Sequence, residues 1–335
     1  METEQVTVKT YCNVLALEKG LDPVGYANAF DTLILMEARL PWKKEMYMEA
    51  GTLPQEVIDL IQVNLKRYQE TGIVPTTRPL VIAPDEEYSR EGYRRVILFE
   101  RQGACIAQFT RSEYLMPEAD MGALIWALAE QRDRVAQFDA FRVEVKPAVR
   151  DLLVCTHGTV DAACAKFGYP LYNGLRQHHA NDSLRVWRVS HFGGHVFAPT
   201  MMDMPTGHYW AYVEAPQSHQ IVRQTGDVTA LRGHYRGWAG LSNSFMQAAE
   251  RELWQQYGWD WFHYPKTGTI TSQDPSTDHP LWAEVQITFE QPDGVIRTAQ
   301  GRVEVQRHIE TITTTGNDHT YNYPQYQVTH LELLA

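Results

Sequence analysis

The stretch that decides how this chain reads runs from Asp151 to Pro199: DLLVCTHGTVDAACAKFGYPLYNGL (151–175), a polar spacer, then LRVWRVSHFGGHVFAP (184–199). It holds Cys155 and Cys164 in a C-x8-C spacing, and His191 and His195 in an H-x3-H spacing around Gly193-Gly194. Thiolates and imidazoles together suit zinc, copper and iron, whereas hard cations ask for carboxylate oxygen. Two such pairs can close a tetrahedral zinc site. They can also hold the two irons of a [2Fe-2S] cluster, with histidines standing in for two of four cysteines. A zinc knuckle takes its cysteines from a tight turn, roughly two to four residues apart, and the gap here is longer.

Local pattern accounts for the gap. DLLVC reads as a buried strand ending at Cys155, and Asp161 as the N-cap of a helix whose first turn carries Cys164, where the positive helix end favours a thiolate. That helix is predicted over 161–178, bent or broken near Gly168 and Pro170. A helix through His191–His195 would cost about 1 kcal/mol per glycine. The pair is therefore expected on a loop delivered by the strand LRVWRVS, with Gly193 and Gly194 letting backbone N–H groups approach a bulky ligand. Singly, each cysteine reads as a buried apolar thiol and each histidine as a hydrogen-bonded core or surface residue; the joint pattern points to metal. Around the four, His157 is a candidate donor or alternative ligand, and Lys166 and Arg188 are candidate cations offsetting cluster charge. The bland reading of all three is a solvated side chain.

VCTHG, D-x-x-CAKFG-x-PLY and RVWR-x-SHFGGH-x-FAPT resemble the signature of the sucrase/ferredoxin-like family, a branch of the thioredoxin-like ferredoxins. The resemblance is close over 151–200 and extends more weakly to YCNVLALEKGLDPVGYA (11–27), YRGWAGL (235–241) and GWDW (258–261). It implies a [2Fe-2S] cluster with mixed Cys/His ligation, with Cys155, Cys164, His191 and His195 on the matching ligand positions. The "sucrase" half of the label finds no support: no carboxylate pair is marked as a glycosidase dyad.

The rest of the chain frames this centre. The helical pattern of Val57, Leu60, Ile61, Val63, Leu65 and Tyr68 predicts a helix from Leu53 to Thr71 stopped by Gly72. An irregular segment around Cys12 precedes it, then a strand in DTLILMEA (31–38). PLVIAP (79–84) reads as a buried strand. RRVILFER and ACIAQFTRSEYL read as a hairpin turning at Gln102-Gly103, with Cys105 inside a core strand, and MGALIWALAEQ (121–131) as a helix. After the central stretch, VFAPTMM and HYWAYVE flank a turn at Pro205-Thr206-Gly207. LSNSFMQAAERELWQQYG (241–258) is a helix capped by Ser242 or Ser244, followed by clustered aromatics from Trp254 to Tyr264 read as core. A polar loop, TGTITSQDPSTDHP (267–280), then leads to an antiparallel meander with a turn at Asp293-Gly294. The expected fold is α/β (α+β): a ligand-free thioredoxin-like unit over 1–145, a thioredoxin-like ferredoxin domain over 146–225, and a C-terminal helix plus antiparallel β meander over 226–335.

A formal net charge of −11 over 335 residues argues against a nucleic acid or an anionic membrane as partner. No apolar run approaches the roughly 20 residues needed to span a bilayer, and METEQVTVKT is too polar for a secretory signal. Four cysteines make no disulfide framework, so a reducing cytoplasm is expected. The leading function is an electron-transfer protein exchanging single electrons with a separate redox protein, more a carrier than a catalyst, with proton uptake at a histidine ligand. The alternatives are a structural Cys2His2 zinc site and a thiol oxidoreductase using Cys155.

Overall fold

The computed structural model describes residues 10–144, 149–276 and 278–334. The boundary expected at 145/146 and most of the polar N-terminal segment lie outside the described residues. In chain order the elements are α1 (Cys12–Glu18), β1 (Thr32–Glu37), α2 (Gln55–Thr71), β2 (Thr77–Ile82), β3 (Tyr93–Glu100), β4 (Thr110–Pro117) and α3 (Met121–Glu130). There follow β5 (Arg150–Cys155), α4 (Ala162–His178), β6 (Leu184–Val189), β7 (Met201–Met204), β8 (His208–Trp210) and α5 (Ala215–Arg223). The chain closes with β9 (Tyr235–Trp238), α6 (Ser244–Tyr257), β10 (Lys266–Gln273), β11 (Trp282–Glu290), β12 (Ile296–Ile312) and β13 (Thr320–Leu333).

Nine strands form one mixed sheet in the order β4-β3-β1-β2-β6-β5-β7-β8-β9. Its two halves follow one plan. In the first, β1 runs parallel to β2 and antiparallel to β3, which pairs antiparallel with β4. In the second, β5 runs parallel to β6 and antiparallel to β7, which pairs antiparallel with β8. Each half thus has the strand order and directions expected of a thioredoxin-like unit, and the halves join where β2 meets β6 at the antiparallel pair Ile82↔Val189. The parallel strands explain their composition: TLILME in β1 is buried at every position, as befits a strand covered on both faces.

Helix ends follow elementary rules. Gly72 caps α2 in the left-handed conformation with its N–H on the Tyr68 carbonyl, and Asp161 caps α4 by accepting the Ala163 N–H at 2.7 Å. Helix α4 is continuous through Gly168 and Pro170. Pro170 is on the exposed face of the helix. Gly168 faces β5, where an added Cβ would come within 2.0 Å of the Cys155 carbonyl oxygen. That glycine permits close helix-to-strand packing and does not bend the helix.

Four further expectations are corrected. The segment at Cys12 is helical, seven residues long, without a side-chain cap. β4 begins only at Thr110, so Cys105 sits in the connection and is exposed. The cap of α6 is Asn243, which accepts the Phe245 N–H, and neither neighbouring serine does so. TGTITSQ belongs to β10, the outer strand of a separate antiparallel sheet ordered β10-β11-β12-β13. That sheet packs on α6 and on the 3-10 turn that follows it, where Trp261 and Phe289 meet edge to face at 5.0 Å; Trp254, Trp261 and Phe262 are buried as core.

The second sheet also reaches back toward the first. The long β12–β13 hairpin ends against α1, where Cys12, Ala163 and Ala198 form a small core packed by Ile312.

Candidate metal centre

The β5–β6 register places Cys155 opposite Val189, both last residues of parallel strands, so the loops leaving these strands must start side by side. One loop leads to Asp161 and the start of α4, which brings Cys164 back over the end of β5. The other carries His191. As a result Cys155 Sγ and Cys164 Sγ lie 3.8 and 3.7 Å from His191 Nδ1. Both thiols are buried, and the three ligand atoms fall within 4.8 Å of one another.

His195 lies one ring further out, its centroid 5.1 Å from that of His191. Its Nε2 meets the Thr313 carbonyl and lies 4.0 Å from Asp161 Oδ2, while its Nδ1 is buried without a hydrogen-bond partner among the described residues. A second cluster of metal-ligand types is thus formed by Cys12, Asp161 and His195. Of the four expected ligands, three converge directly and the fourth adjoins them.

The loop between the histidines is shaped by glycine, as its sequence indicates. Gly193 and Gly194 have φ of +96° and +80°, and a Cβ on either would strike Asn28 or Arg236 at 2.5 Å. Asn28 Nδ2 donates to the Phe192 carbonyl at 2.6 Å. The fully buried Arg236 donates to the carbonyls of Gly193 and Tyr26 and to Thr200 Oγ1. Burial lowers this guanidinium to about 10. Neither Asn28 nor Arg236 was singled out from sequence, although Arg236 lies in the YRGWAGL motif.

The supporting residues divide. His157 is buried; its Nδ1 accepts the His191 backbone N–H at 3.3 Å, its Nε2 meets the Lys43 carbonyl at 3.2 Å, and its ring stands edge-on to Trp42. Burial lowers its pKa, so it serves as a neutral strut behind His191. Arg188 donates to Thr156 Oγ1 at 3.3 Å and covers the Tyr169 ring. Lys166 is exposed on α4 and borders the α4–α5 groove. The buried Trp187 donates to Asp151 and Trp210 packs among aromatic rings.

Electrostatics favour a thiolate at one sulfur. The Cys164 thiol beside it, with the His191 ring, holds Cys155 well below the ordinary thiol range, while the adjacent Cys155 pushes Cys164 up. His195 is lowered by burial and by His191, so its ring is neutral and able to donate a lone pair. Two sulfurs and two imidazoles, one of them with a buried ring nitrogen that has no partner among the described residues, form a donor set fitted to a soft or borderline metal.

Residues 23–237 match the family model described as sucrase/ferredoxin-like, and the chain belongs to that family. No curated protein and no solved structure matches it.

Proposed function

We propose that this sucrase/ferredoxin-like protein is a one-electron carrier whose [2Fe-2S] cluster is held by Cys155, Cys164, His191 and His195. The observation that carries the reading is the gathering of two buried sulfurs and His191 Nδ1 within 4.8 Å, with a second imidazole centred 5.1 Å from the first. When bound, such a cluster supplies one-electron chemistry at a potential set by its ligands and their surroundings.

The chain's own residues set those surroundings. Cys155 is biased to the thiolate that a metal needs. Imidazoles in place of two thiolates remove negative charge, and the buried Arg236 adds a fixed positive one beside Gly193; both favour the reduced, more negative state. His191, its Nδ1 turned to the sulfurs, also borders an open groove of about 520 Å³ lined by Tyr47, Tyr68, Val74 and Arg78. A proton taken up at its far nitrogen on reduction would come from that side. Electrons are exchanged with a separate redox protein.

One observation favours a second reading. Separations of 3.7 and 3.8 Å between nitrogen and sulfur lie within about 0.3 Å of the roughly 3.5–3.6 Å edge of a tetrahedron with Zn–N and Zn–S bonds of about 2.0–2.1 and 2.3 Å. Cys155, Cys164 and His191 could thus share one zinc ion, with His195 Nδ1 as the fourth ligand. Metal analysis of chain purified without air decides between them. The proposal expects visible absorption with about two irons and two acid-labile sulfides per chain. One zinc in colourless protein selects the second reading; metal-free chain with two reactive thiols rejects both in favour of thiol chemistry at Cys155.

A further inference from the structure

The family match ends at residue 237, yet the centre is touched by residues on both sides of the matched span. Residues 313–319 connect β12 to β13, and this hairpin tip lies on the mouth of the site. Thr313 offers its carbonyl to His195 Nε2. Thr315 grips the cap of α4: its Oγ1 donates to Asp161 Oδ1 at 2.7 Å and its N–H to Asp161 Oδ2 at 2.8 Å. From the other end of the chain, Cys12 N–H donates to Thr315 Oγ1 at 3.3 Å, and Cys12 Sγ lies 3.9 Å from Asp161 Oδ2. Three segments far apart in sequence thus meet on one carboxylate and one imidazole.

We infer that the β12–β13 tip is a positioning element of the metal centre: Thr313 fixes which nitrogen of His195 is offered to the metal, and Thr315, with Cys12, fixes the start of the helix that carries Cys164. The inference rests on the proposed ligand set. A carbonyl only accepts hydrogen bonds, so the nitrogen facing Thr313 must carry the proton, and the ring's lone pair is left on Nδ1, the buried atom without a partner among the described residues. Hydrogen bonding a ligand imidazole through its far nitrogen to a carbonyl is how outer contacts orient it and raise its basicity.

Asp161 does two things at once. It caps α4, so Ala163, one residue before Cys164, is tied to it through the backbone. It also receives both Thr315 donors. Its two oxygens thus accept three hydrogen bonds, from the Ala163 N–H, the Thr315 N–H and the Thr315 hydroxyl. Cys12 Sγ points its thiol at the same carboxylate, 3.9 Å from Asp161 Oδ2. This gives Cys12 a role as a strut in the outer support, distinct from the ligands.

Two measurements on the full chain test this. The first is long-range proton–nitrogen correlation of metal-free protein labelled with 15N-histidine. It should show the Nε2–H form for His195; the Nδ1–H form overturns the inference. This result stands whether or not the chain binds iron, so it separates failure of the tip's role from failure of the electron-carrier reading. The second is the decay of visible absorption under excess EDTA in loaded protein. Thr315→Val should lose its chromophore about tenfold faster than the parent, the lower end of what outer hydrogen bonds to ligands contribute to metal retention. Thr315→Ser, which keeps the hydroxyl, should decay within about twofold of the parent. Parental decay in the valine variant, or fast decay in the serine variant, overturns the inference.

Discussion

Two glycines on α4 make a matched pair of opposite sign. At Gly168 an added Cβ would lie 2.0 Å from the Cys155 carbonyl oxygen, whereas ordinary contact begins near 3.4 Å. In Gly168→Ala, α4 must therefore move off β5 by about an ångström, or the Cys155 peptide must turn; the obstacle is backbone and cannot yield by rotamer. Either response displaces one sulfur against the other by several times the roughly 0.2 Å that a metal site tolerates. Overpacking costs about 1–3 kcal/mol, offset by about 1 kcal/mol from exchanging glycine for alanine within a helix, so a net loss of up to about 2 kcal/mol is expected. Gly174 has nothing within 4 Å of its built Cβ, so Gly174→Ala takes the helix gain alone, about 1 kcal/mol. Urea unfolding of the metal-free variants reads the energies, and iron per chain reads the displacement. Gly168→Ala should unfold at lower urea than the parent and carry little iron, while Gly174→Ala unfolds at higher urea and is fully loaded. The packing argument is refuted if Gly168→Ala loads like the parent and matches Gly174→Ala in urea.

Three other expectations follow from the same contacts. If His191 takes up a proton on reduction, the midpoint potential should fall by up to about 59 mV per pH unit over part of the range pH 6–10; voltammetry giving a flat line there would contradict it. His208 is fully buried, stacks on Phe262 at 3.5 Å, has no partner among the described residues for either ring nitrogen, and is driven well below its usual range by burial. Its folded-state pKa is depressed, so its contribution is fully present above the unfolded value near 6.5 and is lost as pH falls below it; about 1.4 kcal/mol disappears between pH 7.5 and 5.5. His208→Phe should lose that much less over the same interval, measured by urea unfolding at the two pH values. Arg236→Lys forfeits part of the set of bonds to Gly193, Tyr26 and Thr200, and should cost about 2 kcal/mol in the same assay. A lysine variant as stable as the parent would mean the guanidinium does not hold the histidine loop.

The centre was legible in sequence wherever a local rule acts over a few residues. DLLVC reads as a buried strand, Asp161 has the right side chain two residues ahead of an N–H that needs an acceptor, and Gly193-Gly194 make an α-helix running from His191 through His195 costly; the structure starts only a short 3-10 turn at His195. Periodicity in α2 and Gly72 behind it fixed that helix to within about two residues. Local rules failed where distant backbone decides. Gly168 reads as a helix breaker until the Cys155 carbonyl is seen beneath it. Cys12 lies in a helix too short and too poorly capped to show a period, and its partners Asp161 and Thr315 are 149 and 303 residues away. Cys105 was placed in the core because ACIAQF looks like a strand, yet the connection stays irregular to Phe109 and the thiol is exposed. TGTITSQ looked like a loop because it is polar on both faces, as an outer strand exposed over most of its length can be.

The most direct test of the account is pulsed electron–nuclear resonance on the chemically reduced protein grown with 15N-histidine. The account predicts two histidine nitrogens with strong hyperfine coupling to the reduced centre, one lost in His191→Cys and the other in His195→Cys. A reduced iron centre that couples to no histidine nitrogen, or a signal unchanged by either substitution, would contradict it.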